Sequence, residues 1–264
     1  MSKYSVGTKF TSKYGTAEII ENLGNQRVSI KWLDEYAYQQ IVKTTNLKDG
    51  KVQNPYAPVV QGVGFIGVGK YSPVRHKREH SVWASMLIRA YDQDYKDWKP
   101  SYREVSVSKD WLNFQNFAEW CNSQKGFFEK YHLDKDLLLS GNKTYSPSAC
   151  RFVPAYVNTI LTTSARIRGE YPIGVHKIAG SKIKPYSVQI KNGGLEKSPR
   201  YLGIYATPLD AHKVWQEAKA VQIELVISRY AEEKVFDMEV ADALMCRVWK
   251  LRTDAAKGVE TLTL

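Results

Sequence analysis

The chain has 264 residues and a formal net charge of +11, enough length for one large domain or for two or three small ones. No apolar run approaches the ~18 residues of a membrane helix, and Cys121, Cys150 and Cys246 are too far apart for a disulfide scaffold or a Cys-based zinc site, so a cytoplasmic protein is expected. Lys and Arg exceed Asp and Glu by 3 in residues 1–60, by 5 in 61–170 and by 5 in the short span 171–222, while 223–264 is acidic by 2. Charge densest in 171–222 points to a polyanion such as nucleic acid.

In chain order, GTKFTS, TAEIIEN, RVSIKWLD and YQQIVKT alternate apolar and polar residues, with Gly15, Gly24 and Asn25 as punctuation. They predict a small antiparallel barrel of about five strands over residues 1–60. KDGKVQNPYAPV then reads as an extended linker. Next, GVGFIGVGKYS holds a literal GxGxxG at Gly62, Gly64 and Gly67. A dinucleotide site needs that motif between a strand and a helix. Proline-rich sequence precedes it and Lys70-Tyr71-Ser72-Pro73 follows, so no organic cofactor is expected. HKREH (His76 to His80) matches the H-x-x-E-H pattern of some zinc peptidases. It reads as preceding a helix rather than lying inside one, and Arg75, Lys77 and Arg78 would repel a dication. A contact to phosphate suits it better.

From Ser81, Trp83, Met86, Leu87 and Tyr91 recur at helical spacing. DWLNFQNFAEWCNSQ repeats the pattern with Trp111, Phe114, Phe117 and Trp120, all expected in the core. Residues 132–158 read HLDKDLLLSGNKTYSPSACRFVPAYVN. The pattern predicts a strand over His132–Leu139, a turn at Gly141-Asn142, a second strand at Cys150–Pro154 and a helix carrying Asn158. A hard divalent cation such as Mg²⁺ suits carboxylate and carboxamide oxygens at the two ends of such a unit.

This stretch resembles the HNH (ββα-metal) region of phage endonucleases, including the free-standing homing type, in a variant with an LDKD-L-GNK-YSP-C-FVP-N pattern. The upstream Trp83, Met86, Leu87, Arg89, Tyr91 helix and the WLNFQNFAEW segment resemble what precedes it in those proteins. The resemblance implies a nuclease module over 61–170 that uses Mg²⁺ or Mn²⁺. Asp134 then falls at the strand's metal-ligand acid, Asn158 at the helix ligand and Asn142 at the loop asparagine. The family's general-base histidine is replaced by Lys135, a poor base at neutral pH. His132, on the same strand face as Asp134, is the substitute, with Asp136 or a metal-bound water as the other options.

Residues 171–222 predict strands at Ile173–Ile178, Tyr186–Ile190 and Arg200–Tyr205, a turn at Asn192-Gly193-Gly194, and a helix after a Thr207-Pro208 start. Leu209, Ala211, Val214, Trp215 and Ala218 form the helix's apolar stripe. Gly174-Val175, then Tyr186, Val188 and Ile190, then YLG-Y-TP-DA-W-AK resemble an AP2-type DNA-binding domain. Such a sheet enters the major groove of double-stranded DNA. His176, Lys177, Lys182, Lys184, Gln189, Lys191 and Arg200 are the candidate contacts, with Gln189 and Arg200 as base readers. Residues 223–264 predict a C-terminal segment, with one broken amphipathic helix over 220–251 and a frayed tail, DAAKGVETLTL. Together these readings describe an α+β, multidomain, metal-dependent DNA endonuclease. The alternative is a DNA-binding protein with a degenerate HNH fold that cuts nothing.

Overall fold

The computed structural model describes residues 4–161, 169–191 and 200–264. The chain forms a mixed α+β structure of two compact units, one of residues 1–123 with Lys143–Ser146, the other of Gln124–Asn142 with Pro147–Leu264. Their boundary falls inside the expected 61–170 module: residues 61–123 belong with the N-terminal sheet, and the LDKD stretch belongs with the C-terminal half. No helix among the described residues is long and apolar enough to cross a membrane.

The first unit opens with strands β1 (Lys9–Ser12), β2 (Gly15–Gly24), β3 (Arg27–Trp32) and β4 (Gln39–Lys43), an antiparallel meander in that order. Asn25 and Gln26 both take positive φ, the tight-turn geometry that suits a two-residue hairpin. Ala17, Ile19, Val28, Ile30 and Trp32 face one buried side. The expected barrel of about five strands is corrected to an open four-stranded sheet. After Lys43 the chain coils into α1 (Thr44–Lys48), whose Leu47 packs on the sheet's core where a further strand would have run.

Helix α2 (Lys77–Tyr91) starts earlier than Ser81, so most of HKREH lies in its first turn, with His76 at the cap. Glu79 is buried and His80 half-buried, while Lys77 is exposed. His80 packs at a tilt on Trp83 and edge-on to Phe114, and its burial lowers its pKa; Glu79 accepts from Asn122 at 3.2 Å. The GxGxxG segment precedes no helix. A Cβ on Gly64 would lie 2.4 Å from Leu87 and 2.9 Å from Trp83, so that glycine serves close packing on α2. Then follow α3 (Gln93–Trp98), β5 (Ser106–Val107) and α4 (Phe114–Ser123). Trp111, Phe114 and Phe117 are buried as expected, and Trp120 is half-buried against Trp111.

The second unit begins with α5 (Lys125–Phe128) and β6 (His132–Asp134). The chain then returns to the first unit, where β7 (Thr144–Tyr145) pairs parallel with β5. Back in the second unit, β8 (Arg151–Val153) pairs antiparallel with β6 and leads into α6 (Ala155–Ile160). Strands β9 (Val175–Lys177), β10 (Tyr186–Ile190) and β11 (Arg200–Tyr205) form an antiparallel meander with β10 central. The turn expected at residues 192–194 lies outside the described residues.

Helix α7 (Pro208–Ala231) starts at the expected place: Thr207 caps it by accepting from the Asp210 N–H, and Pro208 sits where no helical donor is lost. It then runs straight through the expected boundary at 222/223, so no domain ends there. A short loop joins it to α8 (Met238–Lys257), capped by Asp237 and closed by Gly258 in the left-handed region. The single broken helix of the sequence reading is therefore an antiparallel pair whose first member starts at Pro208. Its buried stripe is Ala211, Trp215, Ala220, Ile223, Val226 and Tyr230; Leu209 of the expected stripe is exposed. One continuous core joins the sheet's Val175, Val188 and Ile190 to Trp215, and on to Val157 and Ile160 of α6 and Leu244 and Val248 of α8.

The tail is docked, where fraying was expected. Buried Thr261 donates its N–H to His212 Nε2 at 3.1 Å, accepts from Gln216 at 2.9 Å and donates to Asp254 at 2.8 Å. These buried polar groups satisfy one another, which leaving the tail in water would forfeit. At the same end of α7, Gly174 has φ +83°, and a Cβ there would fall 2.0 Å from Trp215. Gly174→Ala therefore combines a left-handed backbone with overpacking and should cost about 2–4 kcal/mol, read as a lowered urea midpoint of the purified variant.

Candidate nucleic-acid interface and the Asp134 turn

Strand β6 stops at Asp134 because the Asp134 side chain captures the N–H groups that follow. Its Oδ1 accepts from the Asp136 N–H at 2.8 Å and the Leu137 N–H at 2.7 Å. An aspartate that bonds its own downstream backbone builds a turn, which is why the strand expected through Leu139 is three residues long. Burial raises the Asp134 pKa, and the Leu137 and Asp136 N–H groups oppose that rise.

The next residues tie the loop shut. Buried Lys135 pairs its ammonium with the Asp136 carboxylate and donates to the Asn142 carbonyl at 3.0 Å. Asn142 returns a bond from Nδ2 to the Lys135 carbonyl at 2.7 Å. Arg247, buried on α8, reaches over the turn to the Asp136 carbonyl at 3.3 Å and bonds Ala243 within its own helix. These bonds tie the Lys135 side chain into the loop. Of the residues named for catalysis, Lys135, Asp136 and Asn142 thus have a structural task in the loop. His132 stands exposed at the start of β6, two residues before Asp134 and on the same face.

Asn158 lies half-buried on α6, which packs against β6, so strand, strand and helix make the ββα arrangement that the sequence suggested. Among the described residues no three His, Cys, Asp or Glu side chains gather to hold a metal ion. What β6 and α6 themselves offer is the Asp134 carboxylate and the Asn158 carboxamide. Those oxygen donors fit Mg²⁺, an ion that keeps several waters and takes phosphate oxygens as further ligands.

The three-stranded sheet has two unlike faces. Val175, Val188 and Gly203 stand opposite one another and face α7; His176, Ser187 and Ile204 make the next row, on the outer face. Between Val188 and Gln189 the register slips, leaving Leu202 as the extra residue of a bulge. Gly203 sits there at φ +116°, and the Tyr205 hydroxyl donates to the Leu202 carbonyl at 3.0 Å. Without the bulge, alternation would put Leu202 outside and Tyr201 inside. With it, Leu202 joins the core while Tyr201 pairs with Gln189 on the open face.

Two expected DNA contacts, His176 and the base reader Gln189, are on this outer face and exposed. Lys182 and Lys184 are exposed in the β9–β10 loop, and Lys191 just beyond β10. Lys177 and Arg200 stand in register with Tyr186 and Ile190, on the α7 side, and their exposed side chains lie at strand ends. A hydrogen bond to the Tyr171 hydroxyl raises the Lys177 pKa. Sequence reasoning missed Ser187, Tyr201 and Ile204. Counting alternate positions out from buried Val188 finds Ser187, but the bulge at Gly203 breaks that count on β11.

The Asp134 turn yields a test. Asp134→Asn keeps an acceptor for both N–H groups, whereas Asp134→Ala removes it and should cost about 1–2 kcal/mol more. The sign of the pH effect follows from the raised carboxyl pKa. The folded state binds the proton more tightly, so stability should rise as pH falls through that pKa, and Asp134→Asn should lose that acid-side gain. Urea midpoints of the three proteins at neutral and mildly acid pH check both expectations. No protein-family model matches the chain, and no curated protein or solved structure matches it either.

Proposed function

We propose that the protein binds double-stranded DNA through the outer face of β9, β10 and β11. The observation that supports this reading is a sheet sealed on one side by α7 and, among the described residues, open on the other. Hydrogen-bonding and apolar groups stand at the centre of the open side, and Lys182, Lys184 and Lys191 lie at its margins. Lysines at the rim suit phosphates, which position a protein without reading sequence, while the centre is left for base edges. At about 4.8 Å per strand spacing, the axes of the outer strands lie roughly 10 Å apart, comparable with the ~12 Å width of the B-DNA major groove. The deep, narrow major groove of A-form RNA admits no such sheet.

A second reading, metal-dependent cutting of the same DNA, is favoured by the ββα arrangement of β6, β8 and α6. In it Asp134 and Asn158 would hold Mg²⁺ or Mn²⁺, which supplies charge stabilisation at a scissile phosphate. Exposed His132 is the side chain available to accept a proton from water, and the Asp134 turn keeps the carboxylate in place.

Each phosphate contact contributes about 0.9 to the slope of log affinity against log salt. Lys182→Ala/Lys184→Ala should therefore lower that slope by roughly two, measured on duplex DNA in EDTA. An unchanged slope would remove the sheet from the interface. Incubating supercoiled phage or plasmid DNA carrying a bound site with Mg²⁺, Mn²⁺ or EDTA, beside Asn158→Ala, separates the two readings. Cutting that needs metal and Asn158 establishes the nuclease; intact DNA with binding preserved leaves the binding protein.

A further inference from the structure

The chemistry of the open face narrows the kind of DNA it suits, an argument that rests on the DNA-binding reading above. We infer that the sheet reads A·T pairs in the major groove, with Gln189 addressing an adenine edge and Ile204 a thymine methyl group about two base pairs away. The face is made of His176, Ser187, Gln189, Tyr201 and Ile204. Among the described residues it carries no arginine or lysine, the side chains that most often read guanine, and no carboxylate, which would accept from cytosine. Arg200, the other expected base reader, stands in the opposite register beside Ile190.

Gln189 is exposed in the middle of the sheet, and its carboxamide makes no hydrogen bond with the described residues. An amide offers a donor and an acceptor side by side, which matches adenine N7 and N6 in the major groove. Ser187 is less available, since its hydroxyl donates to the His176 carbonyl at 3.3 Å. Ile204 is 41% exposed and Tyr201 58% exposed, an apolar pair on an open sheet that no described element covers. The lysines at the margins argue for a polyanion as the covering partner. The one apolar feature that a base pair presents in the major groove is the thymine methyl.

Register supplies the spacing. Ile204 stands opposite Ser187, and Gln189 is two residues along from Ser187 on the same face. Such diagonal neighbours lie about 7–8 Å apart, close to two base-pair rises of about 3.4 Å each. The bulge at Leu202 brings Tyr201 opposite Gln189, so the polar reader has apolar neighbours on β11.

The experiment selects bound sites from a random duplex library with the full chain in EDTA. It then measures affinity for a selected site after replacing thymine by uracil, or adenine by 7-deazaadenine. The proteins compared are the parent, Ile204→Ala, Gln189→Ala and Lys182→Ala/Lys184→Ala. The expected sites carry an A·T pair at each of two positions about two base pairs apart. Uracil should weaken the parent about three- to five-fold and leave Ile204→Ala unaffected. Loss of the adenine N7 should weaken the parent about ten-fold and leave Gln189→Ala unaffected. Selection of G·C pairs at these positions, or equal losses in parent and variants, would overturn the inference. If that happens while the double lysine variant still lowers the salt slope, the DNA-binding reading stands and only the A·T assignment falls. If the salt slope does not move either, both fall together.

Discussion

Everything in the C-terminal unit is hung on the buried side of one helix. Helix α7 puts Trp215 under the sheet, where Gly174 leaves just enough room for it, and turns Ile223, Val226 and Tyr230 into the core shared with α8 and α6. The opposite side, with Lys213, Glu217, Val221 and Leu225, is exposed, so the helix is held through its buried stripe. Each large side chain so buried contributes on the order of 1.5–3 kcal/mol, so the sheet, the ββα segment and the tail draw on one store of stability. Two polar residues fit this burial differently. His212 must stay neutral, because it donates from Nδ1 to the Ile173 carbonyl while Nε2 accepts from Thr261. Lys219 is pushed down to about 8 by burial alone, a cost at neutral pH that fades as pH climbs past that value.

That arrangement explains which elements could be read from sequence. Tyr186–Ile190, Arg200–Tyr205 and the Thr207-Pro208 start match because alternation and capping are local properties. The mixed α+β character was legible for the same reason. The length of α7 was not, since the acidic residues after Gln222 suggest a change of domain while Ile223 and Val226 continue the same buried surface. The tail was unreadable for a related reason: DAAKGVETLTL is polar, and only the buried His212 and Gln216 show why Thr261 is held. In the first unit the alternation that suggested a barrel is genuine; what closes the sheet's core is the helical turn at Leu47.

The candidate site was legible in composition and less so in geometry. LDKD marks a place where a strand ends and a helix soon follows, and the two strands and the helix are there. Yet Asp134 shapes the turn with one oxygen, and Lys135 and Asp136 neutralise each other beside it. Side chains that look like chemistry in a string of letters here supply the hydrogen bonds of a tight loop. On the sheet, a single glycine decides which of two adjacent side chains, Tyr201 or Leu202, meets solvent, a choice that rests on pairing with β10.

The path of the chain has a practical side. The backbone passes between the two units at 123/124, 142/143 and 146/147, so no single proteolytic cut can release them as independent halves. A fragment starting at residue 124 would carry Tyr145, 2% exposed in the intact protein, with the β5 strand beside it gone. A fragment ending at 123 would leave β5 an unpaired edge. Separating the proposed DNA-binding half for study calls for replacing residues 143–146 with a short polar bridge, so that the excised piece does not bring a sticky aromatic strand with it.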